Sequence, residues 1–209
     1  MLAVDTVLVH YLRQRFHDAI EAGRLILIEG DVLQTDLAQW GPAVVAGNLP
    51  YYITSPILTH MFATTPASAA RAARSMWTRA VFLVQAEVAA RLAAGPGSRD
   101  YGYLSVLAQL HARVEVLFDV PRIAFKPPPK VDSAVVALEP CDSLADFAIA
   151  DRAAFLRFAS ACFRQKRKTL RNNLRPTFPV ERVDALPEAG LRAEQLGIAQ
   201  LASIFSRLS

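Results

Sequence analysis

Ala43-Val44-Val45-Ala46-Gly47-Asn48-Leu49-Pro50-Tyr51-Tyr52-Ile53-Thr54-Ser55-Pro56-Ile57-Leu58-Thr59-His60-Met61-Phe62 is the stretch that decides the architecture. Ala43 to Ala46 is a short apolar run closed by Gly47-Asn48, the pattern of a buried strand that ends at a polar turn. Ser55-Pro56 then places a proline at a first helical position, with Ile57 to Phe62 as the helix body. Strand, turn and helix follow one another with no room for a long loop.

The same alternation extends on both sides. Leu2-Ala3-Val4 is a short apolar run, and Val7 to Phe16 reads as an amphipathic helix with Leu8, Tyr11, Leu12 and Phe16 at helical spacing. Leu25 to Ile28 reads as a strand ending at Gly30-Asp31. Ala80 to Val84 is a third buried strand, followed by a helix over Ala86 to Ala93. Leu104 to Leu110 is helical, and Val114 to Phe118 and Ala134 to Leu138 are late strands joined by a Pro-rich loop. Strands alternating with helices predict an α/β sandwich with a mostly parallel sheet. Ligands of such sheets bind beyond the carboxyl ends of the strands. Asp5, Asp31 and Asn48 each follow an apolar run, which points to a site along that edge.

After Pro140 the character changes. Phe155 to Leu174, the stretch around Leu191 to Leu196, and Leu201 to Leu208 read as helical, with no convincing strand. Two domains are therefore expected, 1–140 and 141–209. Residues 1–140 carry 12 basic and 12 acidic side chains, whereas 141–209 carry 11 and 7, so the net charge of +4 lies entirely in the second part. A neutral body with a basic appendage suits an acidic partner, RNA or DNA first.

Composition excludes several classes. Of 209 residues 53% are hydrophobic, enough for a sizeable core. No apolar run reaches the ~18 residues of a membrane span, and the N-terminus has neither a basic leader nor a cleavage site. Cys141 and Cys162 form no CxxC pair, and His10, His17, His60 and His111 are scattered, so zinc-ligand spacing is absent. A cytoplasmic monomer with two free thiols, no metal and no membrane contact is expected.

Asn48-Leu49-Pro50-Tyr51 carries the chemistry. An exocyclic adenine amine is a poor nucleophile, because its lone pair is delocalised into the ring. A side-chain carbonyl and a backbone carbonyl can together accept hydrogen bonds from its two hydrogens. Proline stiffens the loop, and an aromatic ring offers the flipped base a stacking surface worth ~1–3 kcal/mol. The same residues also serve as a plain strand-to-helix turn.

Further segments resemble one family in order along nearly the whole chain. Gln85-Ala86-Glu87-Val88-Ala89-Ala90-Arg91-Leu92, Gly95-Pro96-Gly97-Ser98-Arg99-Asp100-Tyr101-Gly102, Phe125-Lys126-Pro127-Pro128-Pro129-Lys130-Val131-Asp132-Ser133 and Arg164 to Leu174 (RQKRKTLRNNL) join the tetrapeptide as likenesses to the KsgA/RsmA family of small-subunit ribosomal RNA adenine dimethyltransferases. The resemblance implies a Rossmann-like class I fold with S-adenosylmethionine as cofactor. Its substrate would be small-subunit rRNA within the immature 30S subunit, methylated at N6 of two adjacent adenines near the 3′ end. It also implies that Asn48 and the Pro50 carbonyl contact the target amine, that Tyr51 stacks on the adenine, and that Phe125 is a second stacking partner or else a plug under its loop. Asp31 would accept from the cofactor adenine with Val32 against its ring, although an acidic residue after glycine also caps helices.

Arg164 to Arg175 carries six basic residues and no acid. Arg164, Lys168, Arg171 and Arg175 recur at helical spacing and would share one face with Arg167 beside it. This favours phosphate contacts over a salt-bridged surface.

Three departures stand out. Family members begin with a further helix, a first strand and a GxGxG-type loop, none of which occurs here. The expectation is therefore a truncated chain that binds cofactor poorly. Where the family reads ExD in its second strand, Ala3 stands at the Glu position and Asp5 at the Asp, leaving Asp5 as a lesser cofactor candidate. Tyr52 replaces a usual Asn. Two other functions share parts of this pattern: a macrolide-resistance-type methyltransferase of large-subunit rRNA, and a non-catalytic RNA-binding assembly factor.

Overall fold

A computed structural model of the chain describes residues 1–63, 77–141, 147, 149 and 151–209. The domain junction expected at 140/141 falls beside residues 142–146, which lie outside the described residues.

Strand β1 (Leu2–Ala3) leads into helices α1 (Thr6–Arg15) and α2 (His17–Glu21), and β2 (Ile28–Glu29) pairs parallel to β1. Strand β3 (Ala43–Asn48) runs into a 3-10 turn at Tyr51–Ile53 and helix α3 (Thr54–Ala63). Strand β4 (Trp77–Gln85), helices α4 (Ala86–Ala93) and α5 (Tyr103–His111), and strands β5 (Ala112–Val120) and β6 (Ser133–Pro140) complete the sheet-forming part. Helices α6 (Arg152–Cys162), α7 (Leu170–Leu174), α8 (Val180–Asp184) and α9 (Ile198–Leu208) follow, with no strand among the described residues there.

The four-stranded sheet has the order β3-β4-β6-β5; β1-β2 forms a separate two-stranded ribbon, with no hydrogen-bonded strand among the described residues joining the two. β3 pairs with β4 on one side only. Its side chains alternate half-buried and exposed, and Val44 is 68% exposed on this open edge. The expectation of a mostly parallel sheet needs correction. β1–β2 and β3–β4 are parallel, but β4–β6 and β6–β5 are antiparallel. The Pro-rich loop turns the chain back from β5 into β6 with only a 3-10 turn at Arg122–Ala124 between them, too short for a parallel crossover. The strand expected over Leu25–Ile28 pairs only at Ile28–Glu29, because its partner offers just two residues.

Helix α3 forms as its apolar spacing dictates, whereas in α1 the expected face is not the buried one: Leu8, Tyr11 and Phe16 are exposed and Val9 is buried. Ile57, Leu58, Met61 and Phe62 put one face of α3 into the core, and full burial of Leu58 and Phe62 contributes about 1.5–3 kcal/mol each. They pack with Phe82, Val84, Leu92, Val136 and Leu138 beneath the sheet. A second cluster joins Phe155, Phe158, Leu170, Leu174, Leu201 and Ile204 to Val106 and Leu110. Leu107 and Ala108 of the same helix belong to the first cluster. α5 is thus buried on two faces and couples the sheet to the helices that follow. The apolar run of α5, YLSVLAQLH, reflects that double burial.

The continuous helix expected from Phe155 to Leu174 is interrupted. α6 stops at Cys162, and helix resumes only at Leu170. Asn173, 2% exposed, holds the intervening turn. Its amide donates to the Cys162 carbonyl at 2.7 Å and the Gln165 carbonyl at 3.2 Å, and its Oδ1 accepts from the Gln165 N–H at 3.1 Å. These side-chain bonds replace the ladder that a straight helix would need. Around Leu191–Leu196 only the 3-10 turns Pro187–Gly190 and Ala193–Gln195 form.

Candidate active site and nucleic-acid interface

Asn48 is the last residue of β3 and is exposed, and its side-chain amide has no hydrogen-bond partner among the described residues. Leu49, 7% exposed, anchors the loop in the core and donates its N–H to the Leu83 carbonyl at 3.1 Å. The Pro50 carbonyl is already engaged: it accepts from the Ile53 N–H at 3.1 Å and from the Thr54 hydroxyl at 3.0 Å. The Leu49 carbonyl has no donor among the described residues. Beside Asn48, the free backbone acceptor is therefore that of Leu49.

Tyr51 is half-buried, and its hydroxyl lies 2.6 Å from Ser133 Oγ at the start of β6. Ser133 is fully buried. It was not singled out by its own chemistry in the sequence, where it appeared only as the last letter of the Pro-rich segment. Tyr52, in contrast, is 84% exposed.

The loop that carries Phe125 is clasped at its ends. Arg122 donates through Nε to Asp132 Oδ1 at 3.0 Å, through Nη2 to Oδ2 at 3.2 Å and through Nη1 to the Lys130 carbonyl at 2.9 Å. This bidentate contact holds the Asp132 carboxyl below its ordinary range. The Asp132 carbonyl in turn accepts from the first N–H of α4 at 3.0 Å. Phe125 is half-buried and extended in this clasp.

The residues expected at the cofactor behave as caps. Asp5 Oδ1 accepts from the Leu8 N–H at 2.9 Å and caps α1. Asp31 Oδ1 accepts from the Leu33 N–H at 2.9 Å, closing an Asx-type turn two residues beyond β2. Its other carboxylate oxygen remains available, and Val32 beside it is half-buried against the sheet core. A link to α3 went unread in the sequence: His60 Nε2 lies 3.0 Å from the Thr35 carbonyl, tying the Asp31 turn to the helix after Asn48. No hydrogen bond joins Asp5 or Asp31 to Asn48 among the described residues.

The interrupted helix removes the single basic face. Arg171 and Arg175 both reach Asp184 of α8, at 3.1 and 2.7 Å, and hold its carboxyl below the ordinary range. Lys166 donates to the Arg99 carbonyl, and Arg164 donates to the Thr177 hydroxyl at 3.3 Å. Arg167 and Lys168 are exposed and have no partner among the described residues. The acid absent from the sequence neighbourhood is supplied by tertiary structure.

Two parallel strand pairs, β1–β2 leading to the Asp31 turn and β3–β4 leading to the Asn48–Tyr51 loop, together with an antiparallel β5–β6 pair, define a Rossmann-like S-adenosylmethionine-dependent methyltransferase. The chain belongs to the ribosomal RNA adenine dimethylase family, whose model matches residues 1–209. It is 43% identical over 217 aligned residues to a ribosomal RNA small subunit methyltransferase A of Acidobacterium capsulatum, which covers 99% of this chain and 72% of that protein. It is 42% identical to the protein of the same name from Chlorobium chlorochromatii, over 97% and 71%. Among solved structures, a dimethyladenosine transferase from Plasmodium falciparum has a TM-score of 0.70 at 24% identity, covering 99% of this chain and 78% of that one. The 23S rRNA methyltransferase ErmE has a TM-score of 0.59 at 22% identity, over 99% and 80%. These two share the fold. No described helix is long and apolar enough to cross a membrane.

Proposed function

We propose that this chain transfers methyl groups to N6 of two adjacent adenines near the 3′ end of small-subunit rRNA, acting on the immature 30S subunit in the cytoplasm as a metal-independent monomer. The observation that carries this reading is the Asn48–Tyr51 loop. Two unpartnered acceptors, Asn48 Oδ1 and the Leu49 carbonyl, stand beside an aromatic ring held by Ser133. Two acceptors suit the two hydrogens of an exocyclic amine and localise its lone pair on nitrogen as charge develops. The Tyr51 ring seats the base, and Phe125 offers a second surface from the clasped loop. After transfer the amine has lost one hydrogen and still keeps one acceptor contact, which allows a second round.

S-adenosylmethionine supplies the electrophilic methyl group. Asp31, with one carboxylate oxygen free, and half-buried Val32 suit its adenine end, with Asp5 a lesser candidate. Of Arg164, Arg167, Lys168, Arg171 and Arg175, the two without a side-chain partner among the described residues, Arg167 and Lys168, lead the sequence-independent phosphate contacts in the 141–209 unit, with Arg164 adding its spare donors and Arg171 and Arg175 held on Asp184.

Methyl incorporation into isolated small and large subunits tests the assignment. Incorporation into small subunits alone, abolished by Asn48→Ala, is expected; labelling of large subunits instead would assign the chain to the resistance-type group, which the small-subunit names of the relatives do not favour. A non-catalytic assembly role, the alternative from a different class, is not favoured by the adenine-dimethylase family model or by the names of the relatives. Under that reading Asn48→Ala leaves RNA-dependent function intact.

A further inference from the structure

A hollow of about 380 Å³ lies between α5 and α6, lined by Tyr103, Leu156, Arg157, Ser160, Ala161 and Arg164. It lies apart from the Asn48–Tyr51 loop and includes neither Phe125 nor Asp31. Its lining divides by chemistry. Tyr103, Leu156 and Ala161 are half-buried or buried and give an apolar floor, whereas Arg157, Ser160 and Arg164 are exposed and give a polar rim. Arg157 has neither an acidic partner nor a hydrogen bond among the described residues. Arg164 uses one nitrogen on Thr177 and keeps its other donors. Arg157 and Ser160 lie three residues apart on α6 and share one side of it, and Arg164, two residues past the end of the helix, lines the same hollow.

We propose that this hollow seats a single unpaired RNA nucleotide, with the base on the Tyr103 floor and its phosphate held by Arg157, Arg164 and the Ser160 hydroxyl. Two cations without a carboxylate between them among the described residues make an anion the complementary ligand. An apolar floor with an aromatic ring distinguishes a nucleotide from a bare phosphate, since any base has a face to stack. The volume is within the range of small-molecule sites. The position on α5, which is buried in both cores, fixes the seat relative to the Asn48 loop and would set the distance between a gripped nucleotide and the methylated one. The inference rests on the RNA-methylating reading and adds Tyr103, Arg157 and Ser160 to it.

Fluorescence anisotropy with the full 209-residue chain tests the seat, using a labelled single-stranded RNA oligonucleotide and a duplex of the same sequence. Arg157→Ala should weaken single-strand binding about 3–10-fold and reduce the slope of log affinity against log salt by about 0.7, the value for one phosphate contact on a single strand. Arg157→Lys should restore most of the affinity. Arg192→Ala removes an equal charge from a residue paired to Glu194 and should change little. Equal losses on single strand and duplex would overturn the base-seating claim. Wild-type affinity in Arg157→Ala, with loss in Arg167→Ala/Lys168→Ala, would overturn the seat and leave RNA binding standing. If free adenosine monophosphate occupies the hollow while oligonucleotide binding ignores Arg157, the ligand is a free nucleotide and the proposal falls. Absence of RNA binding by the wild type would overturn the functional reading itself.

Discussion

The Tyr51 hydroxyl and Ser133 Oγ are 2.6 Å apart, although 82 positions separate them in the chain. This contact joins the loop after β3 to the start of β6 and fixes the tilt of the ring proposed to stack on adenine. Ser133→Ala should free that ring. A single hydrogen bond contributes about 0.5–1.5 kcal/mol, so quenching of 2-aminopurine placed at the target adenine should fall by a few-fold. Tyr51→Phe should give a similar loss, and the double variant no further one, because both remove the same bond. Additive losses would show that the two side chains act separately.

The Arg122–Asp132 clasp holds a loop rather than a core. Asp132→Asn should leave the global unfolding midpoint nearly unchanged, since both partners are exposed. It should instead accelerate tryptic cleavage after Arg122 and Lys130, which mass spectrometry can locate. A drop in the global midpoint with unchanged cleavage would contradict this.

Asp184 holds two arginines that the sequence assigned to RNA. Asp184→Asn should tighten RNA binding a few-fold and steepen its salt dependence, as Arg171 and Arg175 become free. The sign with pH follows from the lowered carboxyl. The stability it contributes is present above its ordinary value of 3.8 and lost as pH falls through the lower folded value. The stability gap between wild type and Asp184→Asn should therefore close on acidification below that range, measured by urea unfolding at successive pH values.

Asn173→Ala leaves the Cys162 and Gln165 carbonyls and the Gln165 N–H without their partner. The Cys162 carbonyl is buried, so a destabilisation of about 1–3 kcal/mol is expected, read as a lower urea midpoint at constant slope. Asn173→Asp, which keeps the acceptor but loses the donor to both carbonyls, should not restore stability.

Cofactor affinity is the remaining quantity. The Asp31 turn follows a two-stranded ribbon that no strand among the described residues joins to the Asn48 sheet; packing of Val32 and Leu33 on the core and the His60 contact to Thr35 connect the two halves of the site. Calorimetric titration with S-adenosylmethionine should show weak binding by this chain. Micromolar affinity would overturn that expectation, and His60→Ala should weaken whatever binding is found.

Most elements were legible in the sequence because each is set by local rules. The apolar spacing of α3, α4 and α5, Pro56 near a helix start and the run at β3 all specify their own geometry over a few residues. The Asn48–Tyr51 loop was legible for the same reason, since a strand end and a proline fix its backbone. What escaped depends on groups distant in sequence. The sheet mixes parallel and antiparallel pairs because β6 returns beside β4. The basic run bends because Asn173 caps the turn behind it, and its arginines meet Asp184 only after α8 folds back. The Pro50 carbonyl is occupied by Thr54, and Tyr51 is held by Ser133. The sequence alone thus determined the local elements and the loop segments proposed to carry chemistry, through side-chain type and short-range periodicity. Tertiary structure decided which of their donors and acceptors remain free, because hydrogen bonds and ion pairs are apportioned only when distant segments compete for the same atoms.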